Sequence, residues 1–481
     1  MKINQGRLSF KVEPDQRPAG LTSYAGVPLF VETAMALGLP ALVDRFLGQK
    51  WGHRRGYSAV HLTLIILVGI VAGAKNVDDI AAMAQDKGLQ VLLELKKKWP
   101  SASTIKRFLY WFHELPQWTG GERGRAILPQ ESAALLALGK VNREIVQALQ
   151  ERRPFEKVTI DLDATIIESA KEEALPHYDG GRGFQPWIAY CPEMGILLRD
   201  QFRDGNVPAS MGAFNQIKRS VLGVPVGVKK IAVRGDTAMY CPKALTWMDG
   251  RDIDFGISMP MIPDLRARIE AVPESSWSRH RKSNPFGGLL PTDLEIAEVE
   301  FVSNAMATSK KGRPFRILVV RRVDDQGVLF GPAGKVHDQD GRRWYLALIT
   351  NRWEDSAEQV WNWSRERCGS VEMAHAELKN DLAAGVMPSG RFQSNAAWFR
   401  FNVLAYNILA SLQLLALPKL MQTWRPATLR FRLLNLAGRI VHHSRELVLR
   451  LPWIGDLVDV YREARDRLWN PRRHRQPVPA T

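Results

Sequence analysis

The spacing of apolar residues divides the chain into a helical first part and a strand-rich middle. Residues 30–115 show helical spacing, and the apolar run "LTLIILVGIVAGA" at 62–74 predicts a buried helix. A segment rich in Gly and Pro at 116–130 predicts a linker, and helical spacing resumes over roughly 131–151. We therefore expect a helical N-terminal region that leads into a differently built core.

From residue 158 the pattern changes to short strands. "VTIDLDA", "WIAYCPE" and "ILLRDQF" predict three strands, followed by a helix near 209–221 and a further strand in "KKIAVRGD". Three strands, a helix and another strand form an α/β pattern.

The pattern changes twice more towards the end of the chain. Within 260–355, "EIAEVEFV", "FRILVVRR", "GVLF" and "RWYLALIT" are short strands between polar turns, which predicts a mainly β insertion. Helical spacing returns at 356–383 and again from 396, and the end "NPRRHRQPVPAT" predicts a disordered tail. The predicted divisions are a helical region 1–130, a core in two parts, 131–259 and 356–415, the insertion 260–355, and a helical, basic region 416–481.

The net charge favours a polyanion as a partner. The formal charge is +16 and the sequence pI is about 9.8. Residues 1–150 carry 19 Lys and Arg against 12 Asp and Glu, and residues 391–481 carry 15 against 5. The basic excess therefore lies in the two flanks, and the middle is close to neutral. Flanks that hold a polyanion and solvated helix faces on a basic protein both fit this distribution.

Cysteine usage and apolar content narrow the choice of polyanion. Cys191, Cys241 and Cys368 are far apart without CxxC spacing, so we expect neither a disulfide framework nor structural zinc, which fits a reducing cytosol. The start of the chain has no signal-peptide pattern, and the run at 62–74 is too short to span a bilayer. Nucleic acid is therefore favoured over a membrane surface.

A basic helix in the N-terminal region fits nucleic-acid binding. In "LKKKWPSASTIKRFLYWFHEL" a Pro-Ser turn follows three lysines, and Ser103 is placed to cap a helix with one basic and one aromatic side. A turn and helix of this kind are compatible with helix-turn-helix DNA binding, and equally with an ordinary helical hairpin. The residues that would contact DNA here are Lys96, Lys97, Lys98, Lys106 and Arg107.

Three acidic positions could carry chemistry. Asp161 and Asp163 share one face of the strand "VTIDLDA", and Asp236 ends the strand "KKIAVRGD". Glu372 lies two helical turns before Lys379 in "VEMAHAELK". Taken singly, these positions could equally be a polar strand rim, a helix N-cap and a solvated helix face. Together, two strand-end aspartates and a helix glutamate can converge at the edge of one sheet.

Converging carboxylates suit a particular kind of metal chemistry. Hard divalent cations prefer oxygen ligands, and two such ions about 4 Å apart can activate a water or a 3′-hydroxyl in phosphodiester displacement. Arg365, Arg367 and Lys379 would supply positive charge for the phosphate.

The same residues carry a resemblance to a known family. "DLDATIIES" with "YDGGRGFQPW", then "VRGDTAMY", then "RCGSVEMAHAELKNDL" are similar to the catalytic blocks of DDE transposases of bacterial insertion sequences. The resemblance runs from about residue 20 to about residue 455. On that match Asp163, rather than Asp161, takes the first catalytic place, Asp236 the second and Glu372 the third. Where the family's common signature has an Arg four residues before the Glu, this chain has Cys368.

The resemblance implies a fold, a cofactor and partners. The implied fold is α/β, a ribonuclease-H-like mixed sheet with a β-rich insertion, flanked by helical regions. Two Mg²⁺ ions would bind Asp163, Asp236 and Glu372, with Mn²⁺ able to substitute, and Asp161 and His375 would support these ligands. The implied partners are double-stranded DNA, as terminal inverted repeats and target DNA, and a second copy of the chain in the synaptic complex, within the bacterial cytoplasm.

Two alternatives stay open beside a transposase. One is a nuclease of the same fold that cuts DNA without joining strands. The other is a DNA-binding protein descended from a transposase that has no chemistry, although the presence of all three acids argues against it.

Overall fold

The computed structural model describes most of the chain as one mixed α/β structure. It describes residues 20–51, 56–113, 126–128, 130–283, 288–301, 314–323, 337, 341–443, 446–452 and 455–470. Most of the predicted linker, the predicted strand "GVLF" and the predicted tail after Asn470 lie outside these residues.

The N-terminal region is helical, as expected. After a two-residue strand β1 (Leu21–Thr22), its helices are α1 (Val27–Ala36), α2 (Leu39–Val43), α3 (Gln49–Trp51), α4 (Ala59–Ala72), α5 (Val77–Ala82), α6 (Lys87–Leu92) and α7 (Ala102–Trp111). All but two of the α4 side chains are buried, which confirms the buried helix predicted at 62–74. Its sides pack against the long helix near the C-terminus and against other N-terminal helices.

The capping residue of α7 differs from the prediction. Ser101, not Ser103, is the N-cap: its backbone is extended, and its side chain accepts a hydrogen bond from the Thr104 amide at 3.4 Å. Ser103 already lies inside the first turn, because the helix begins two residues after Pro100. Phe108 and Phe112 point into the core as predicted.

The core begins with the helix α8 (Ala133–Arg152), which leads into the central sheet. The strands that follow are β2 (Lys157–Ala164), β3 (Ile167–Glu168), β4 (Leu175–His177), β5 (Gly181–Phe184), β6 (Trp187–Cys191), β7 (Ile196–Gln201), β8 (Lys230–Gly235) and β9 (Asp254–Met259). The helices between and after them are α9 (Ala213–Val221), α10 (Pro242–Asp249) and α11 (Pro263–Glu270). The predicted strands at 158, 187, 196 and 230 are all present.

The pairing of β2 with β8 places the two candidate strand ends side by side. These strands run parallel, with Asp161 opposite Arg234 and Leu162 opposite Gly235. Continuing this register by one residue brings Asp163 beside Asp236 at the carboxyl edge of the sheet. On the other side of β2, strands β6 and β7 are antiparallel, so the core sheet is mixed.

The predicted β insertion is a continuation of this sheet. Its strands are β10 (Ser278–Ser283), β11 (Leu289–Val299), β12 (Arg316–Arg322) and β13 (Tyr345–Thr350). Strand β13 pairs with β9, and the nine strands follow the order β10-β11-β12-β13-β9-β8-β2-β6-β7. Pairing with β9 covers what would otherwise be an open edge of the core sheet.

The C-terminal third adds helices and one unexpected hairpin. The helices are α12 (Ala357–Arg365), α13 (Arg367–Ala376), α14 (Phe392–Ala416), α15 (Pro426–Leu429) and α16 (Leu457–Trp469), with a π-helical turn Glu377–Asp381 after α13. Within the predicted helical, basic region 416–481, β14 (Gly438–His443) and β15 (Glu446–Arg450) instead form a hairpin that also pairs with β1. The β-branched residues Ile440, Val441 and Val448 favour strands here.

Helix α14 is the centre of the helical core. In the described part of the chain it is the one helix long and apolar enough to cross a membrane, and two bent helix pairs near the N-terminus pass the same test jointly. Of its most apolar window, 83% is buried inside the protein. It packs against α1, α4, α7, α8, α16 and β7. Its apolar surface is therefore taken up by neighbouring elements.

One buried arginine ties α14 to two of these neighbours. Arg400 is 3% exposed, and its Nη2 lies 2.9 Å from Oδ2 of Asp200 on β7. The same guanidinium donates to Oε1 of Glu131, which precedes α8, and to the Leu135 carbonyl. Two carboxylates thus share one buried cation, and removing the cation would leave both without compensation.

Replacing Arg400 by alanine is expected to lower the free energy of unfolding by about 3–5 kcal/mol, because Asp200 and Glu131 would remain buried and unpaired. Urea unfolding followed by circular dichroism measures this loss. The matched control is Arg465→Ala, which breaks the exposed pair with Glu32 and should cost less than about 1 kcal/mol. Equal losses in the two variants would contradict a structural role for the Arg400 cluster.

Candidate active site

Asp163 and Asp236 lie together at the carboxyl edge of the sheet. Asp163 is near the end of β2, and Asp236 is the first residue after β8. Both line a cavity of about 540 Å³, which we call the polar cavity. Asp236 also caps the short 3₁₀ turn that follows, since its Oδ1 accepts a hydrogen bond from the Ala238 amide at 3.0 Å. Asp236 can therefore cap this turn and also belong to the candidate site.

Glu372 approaches this pair from helix α13, which packs against β2. Burial raises the pKa of Asp163 to about 6, against the lowering effect of the Arg367 guanidinium and of the Ala164 amide. The negative charges of Asp236 and Glu372 raise this pKa further. Asp163 is thus within electrostatic reach of both other predicted acids, although Glu372 is itself exposed.

The donor set fits a hard divalent cation in its chemistry. All three side chains offer carboxylate oxygens, the ligands that Mg²⁺ prefers. Burial and, to a smaller extent, repulsion by Asp236 and Glu372 raise the pKa of Asp163, and a bound cation would offset both effects. Across the described residues, no three His, Cys, Asp or Glu side chains are clustered closely enough to form a ready-made metal site. The residues that could hold an ion here are Asp163, Asp236 and Glu372.

Asp161, the second aspartate of β2, has a different environment. It is completely buried, and Arg234 on β8 holds both of its oxygens, Nε to Oδ1 at 2.6 Å and Nη2 to Oδ2 at 2.9 Å. Ser370 of α13 also donates to Oδ2. Because both of its oxygens already accept hydrogen bonds, Asp161 stabilises the pairing of β2 with β8 and is poorly placed to be an additional metal ligand.

Arg234 extends this contact to the junction between α12 and α13. It is 2% exposed, and its Nη1 donates to the Trp363 carbonyl and to Oε2 of Glu366 at 2.8 Å. One ion-pair network therefore connects β2, β8 and the start of the helix that carries Glu372.

The predicted phosphate-contacting residues are divided between two sides of the site. Nη1 of Arg367 lies 3.7 Å from Oδ1 of Asp163, and Arg365 and Arg367 line a second cavity of about 210 Å³ together with Asp236. Lys379, in the π-helical turn, donates to Oγ1 of Thr165 at 3.0 Å, directly after β2.

His375 contacts the same aspartate without forming an ion pair. Its Nε2 is 3.7 Å from Oδ2 of Asp163. Burial, with the charge of Lys379, lowers the pKa of His375 to about 3, so the ring is neutral near pH 7.

Comparison with known proteins identifies the family of the chain. A family model described as "Transposase DDE domain group 1" matches residues 8–472. The chain belongs to this DDE transposase family. One similar solved structure is the piggyBac transposase synaptic complex with hairpin DNA, at 8% identity and a TM-score of 0.41, with 96% of this chain and 85% of that chain covered. A search of curated proteins found no match.

Sequence reasoning missed Arg234 as a residue of the transposase site. A signal was present, because a charged residue stands in an otherwise apolar strand two positions before Asp236. Asp161 stands two positions before Asp163, so aligning the two strands by their terminal aspartates pairs Arg234 with Asp161. The parallel register of β2 and β8 has this alignment.

The N-terminal cations are separate from the acids. Lys96, Lys97, Lys98 and Arg107 are exposed, and none of them lines either cavity. Lys106 forms an ion pair with Asp78 at 3.3 Å, between α7 and α5. These residues therefore remain available to bind DNA away from the site of chemistry, which stays a prediction.

The two aspartates of β2 should respond oppositely to neutralisation in metal-free transposase. Asp161→Asn is expected to cost about 3–5 kcal/mol of unfolding free energy, because it leaves Arg234 buried beside a weakened partner. Asp163→Asn should be neutral or stabilising, by up to about 3 kcal/mol at pH 7.5, because it removes a charge that burial disfavours.

Urea unfolding in a chelating buffer measures both effects. The folded-state pKa of Asp163 is raised to about 6, so its ionisation costs stability as pH rises from about 4 to 6. The advantage of Asp163→Asn should therefore be full above pH 6 and absent near pH 4. A loss of stability in Asp163→Asn equal to that in Asp161→Asn would contradict the distinct environments.

Proposed function

We propose that this transposase binds the inverted-repeat ends of a bacterial insertion sequence, cleaves them by metal-dependent phosphodiester hydrolysis, and joins the 3′-hydroxyl ends to target DNA. The observation that carries the proposal is that Asp163, at the carboxyl edge of the sheet, lies within electrostatic reach of Asp236 and Glu372 and 3.7 Å from Arg367. Membership of the DDE transposase family supports the same chemistry.

The proposed fold class of the catalytic core is ribonuclease-H-like. In support, the strands β7-β6-β2-β8-β9 form a continuous mixed sheet in which β2, β8 and β9 are parallel. The first two acids stand at the ends of neighbouring parallel strands, and the third is on a helix packed against them. Strands β10 to β13 then correspond to the β-rich insertion between the second and third acids.

Each acidic and basic side chain has a proposed role. Asp163, Asp236 and Glu372 would hold two Mg²⁺ ions, or Mn²⁺ in their place, which when bound supply activation of the attacking oxygen and stabilisation of the leaving oxygen. Arg367 and Arg365 bind the phosphate from the side of the smaller cavity. Lys379 fixes the backbone after β2 through Thr165 and is close enough to the edge to contact a neighbouring phosphate. His375, being neutral, keeps the space behind Asp163 uncharged.

DNA binding outside the site is assigned to the basic flanks. Residues 391–481 carry a formal charge of +10 and residues 1–150 a charge of +7, whereas the middle is nearly neutral. Lys96, Lys97, Lys98 and Arg107 present exposed positive charge on the N-terminal side. Binding of this kind should weaken steeply with salt, because phosphate contacts release counterions. The proposed assembly is a homodimer on two element ends, in the bacterial cytoplasm.

The test of this function is a strand-transfer assay on the element's own ends. A labelled duplex that ends in the inverted repeat flanking the gene is incubated with the protein, Mg²⁺ and a target plasmid. The wild type should cleave the end and join it to the plasmid. Asp236→Asn and Glu372→Gln should each lower cleavage and joining by at least roughly a hundredfold while they retain DNA binding, because metal ligands are lost.

A matched control and the alternatives complete the assay. Glu463→Gln, at an exposed glutamate of α16, should leave both reactions unchanged. Nicked products without joined strands would favour the nuclease, and binding without any cleavage would favour the catalytically silent protein. Joining at wild-type levels by Asp236→Asn or Glu372→Gln would refute the site assignment.

A further inference from the structure

The polar cavity contains more than the two aspartates. Its lining also includes residues at the end of strand β4, Gln185 just after β5, and residues within 205–209 that follow β7. Three polar side chains of this wall, His177, Gln185 and Asn206, have no role in the proposed chemistry of the acids. The cavity volume of about 540 Å³ lies in the range of small-ligand sites.

These polar side chains have unpartnered atoms. His177 is 8% exposed and Gln185 is 4% exposed. Within the described structure, both ring nitrogens of His177, Oε1 of Gln185 and Oδ1 of Asn206 are buried without a hydrogen-bond partner. Buried polar atoms are usually paired, because leaving one unpaired costs folding free energy. All three residues line the cavity, and because these atoms have almost no accessible surface, they pair with a ligand when their side chains turn towards it.

The wall that carries these groups is held rigidly by the backbone. The Gln185 amide donates to the Arg203 carbonyl at 2.8 Å, and the Gly205 amide donates to the Gly183 carbonyl at 3.1 Å. A Cβ on Gly205 would lie only 2.6 Å from the Leu175 carbonyl oxygen, so glycine is needed for this close approach. The segment that carries Asn206 is thus fixed against the strand that ends at His177, and the backbone that carries the polar groups is positioned before a ligand binds.

The chemistry of the wall indicates which part of a DNA ligand it fits. Apart from Asp163 and Asp236, the lining residues of the polar cavity include no Asp, Glu, Lys or Arg. Imidazole and side-chain amides donate to and accept from base edges, whereas the arginines that line the smaller cavity are the groups suited to phosphates. Tyr178, at the cavity rim, is 82% exposed and offers an aromatic face for stacking.

We propose that the polar cavity binds the sugar and base of a nucleotide adjacent to the scissile phosphate, through His177, Gln185 and Asn206, and so sets which terminal nucleotide is cleaved efficiently. The proposal rests on the proposed function, because that function places the scissile phosphate at Asp163 and Asp236. The recognised group is a DNA base extending from the phosphate into the cavity, and the three side chains are specificity residues rather than catalytic ones.

The experiment combines protein variants with altered DNA. Four element-end duplexes each carry a single abasic site, at one of the four positions around the scissile phosphate. The first-order cleavage rate of each duplex is measured for the wild type and for Gln185→Leu. In the wild type, one abasic position should lower the rate about ten- to hundredfold, as expected for one lost base contact. In Gln185→Leu the intact duplex should already be cleaved slowly, and the same abasic position should change the rate less than about threefold.

Folding of the variant is checked independently. The thermal midpoint of Gln185→Leu should equal or exceed that of the wild type, because an unpaired buried oxygen is replaced by an apolar group of similar size. Asn206→Ala, in a half-buried loop position, provides a second variant with the same expected loss of sensitivity to the abasic site. Gln147→Leu, on α8 away from the cavity lining, is the control and should keep the wild-type sensitivity.

The outcomes separate this proposal from the function on which it rests. Wild-type cleavage that is insensitive to every abasic position, or equal sensitivity in the wild type and in both cavity variants, would overturn the nucleotide pocket and leave the transposase activity intact. If the wild type cleaves no element-end duplex at all, the proposed function is refuted and the pocket with it.

Discussion

The buried ion pair between Asp161 and Arg234 fixes the elements on which the candidate site depends. It joins β2 to β8 across their parallel register, two residues before Asp163 and Asp236. Ser370 and Glu366 connect the same pair to α13, the helix of Glu372. Because neither charge can be left unpaired at this depth, displacing any one of the three elements is costly. Their mutual positions are thereby restricted before DNA or metal binds.

Charge is distributed differently a few ångströms away. The Asp163 carboxylate is partly buried and lies near the negative charges of Asp236 and Glu372. The positive charge of Arg367 offsets these effects only in part. The charges of Asp161 and Arg234 balance each other, whereas the negative charges at the sheet edge are not balanced. An unsatisfied group of acids next to arginines fits a site that receives cations and a phosphate together. This arrangement also fits the charge distribution along the chain, in which a nearly neutral middle is flanked by basic regions suited to a polyanion.

Much of the site followed from the sequence because strand and helix periodicities are local. The strand containing Asp163, the strand that ends before Asp236 and the helix of Glu372 were all predicted from spacing, and the structure has them. What was missed depends on long-range pairing. The contact of Arg234 with Asp161 requires the β2–β8 register, and the fusion of the β insertion with the core requires the pairing of β13 with β9. The hairpin formed by β14 and β15 was not predicted, because this part of the chain was interpreted as helical. Strand β1, near the other end of the chain, pairs with β14 as the third strand of this small sheet.

The proposed function requires Asp163, Asp236 and Glu372 to form a two-metal site for DNA chemistry. Electron paramagnetic resonance with Mn²⁺, titrated into the protein bound to an element-end duplex, counts the ions directly. The account predicts two Mn²⁺ per catalytic site in the wild type, and binding weakened at least roughly tenfold by Asp163→Asn, since a ligand is lost. No specific Mn²⁺ binding by the wild type, or two ions bound equally tightly by Asp163→Asn, would contradict it.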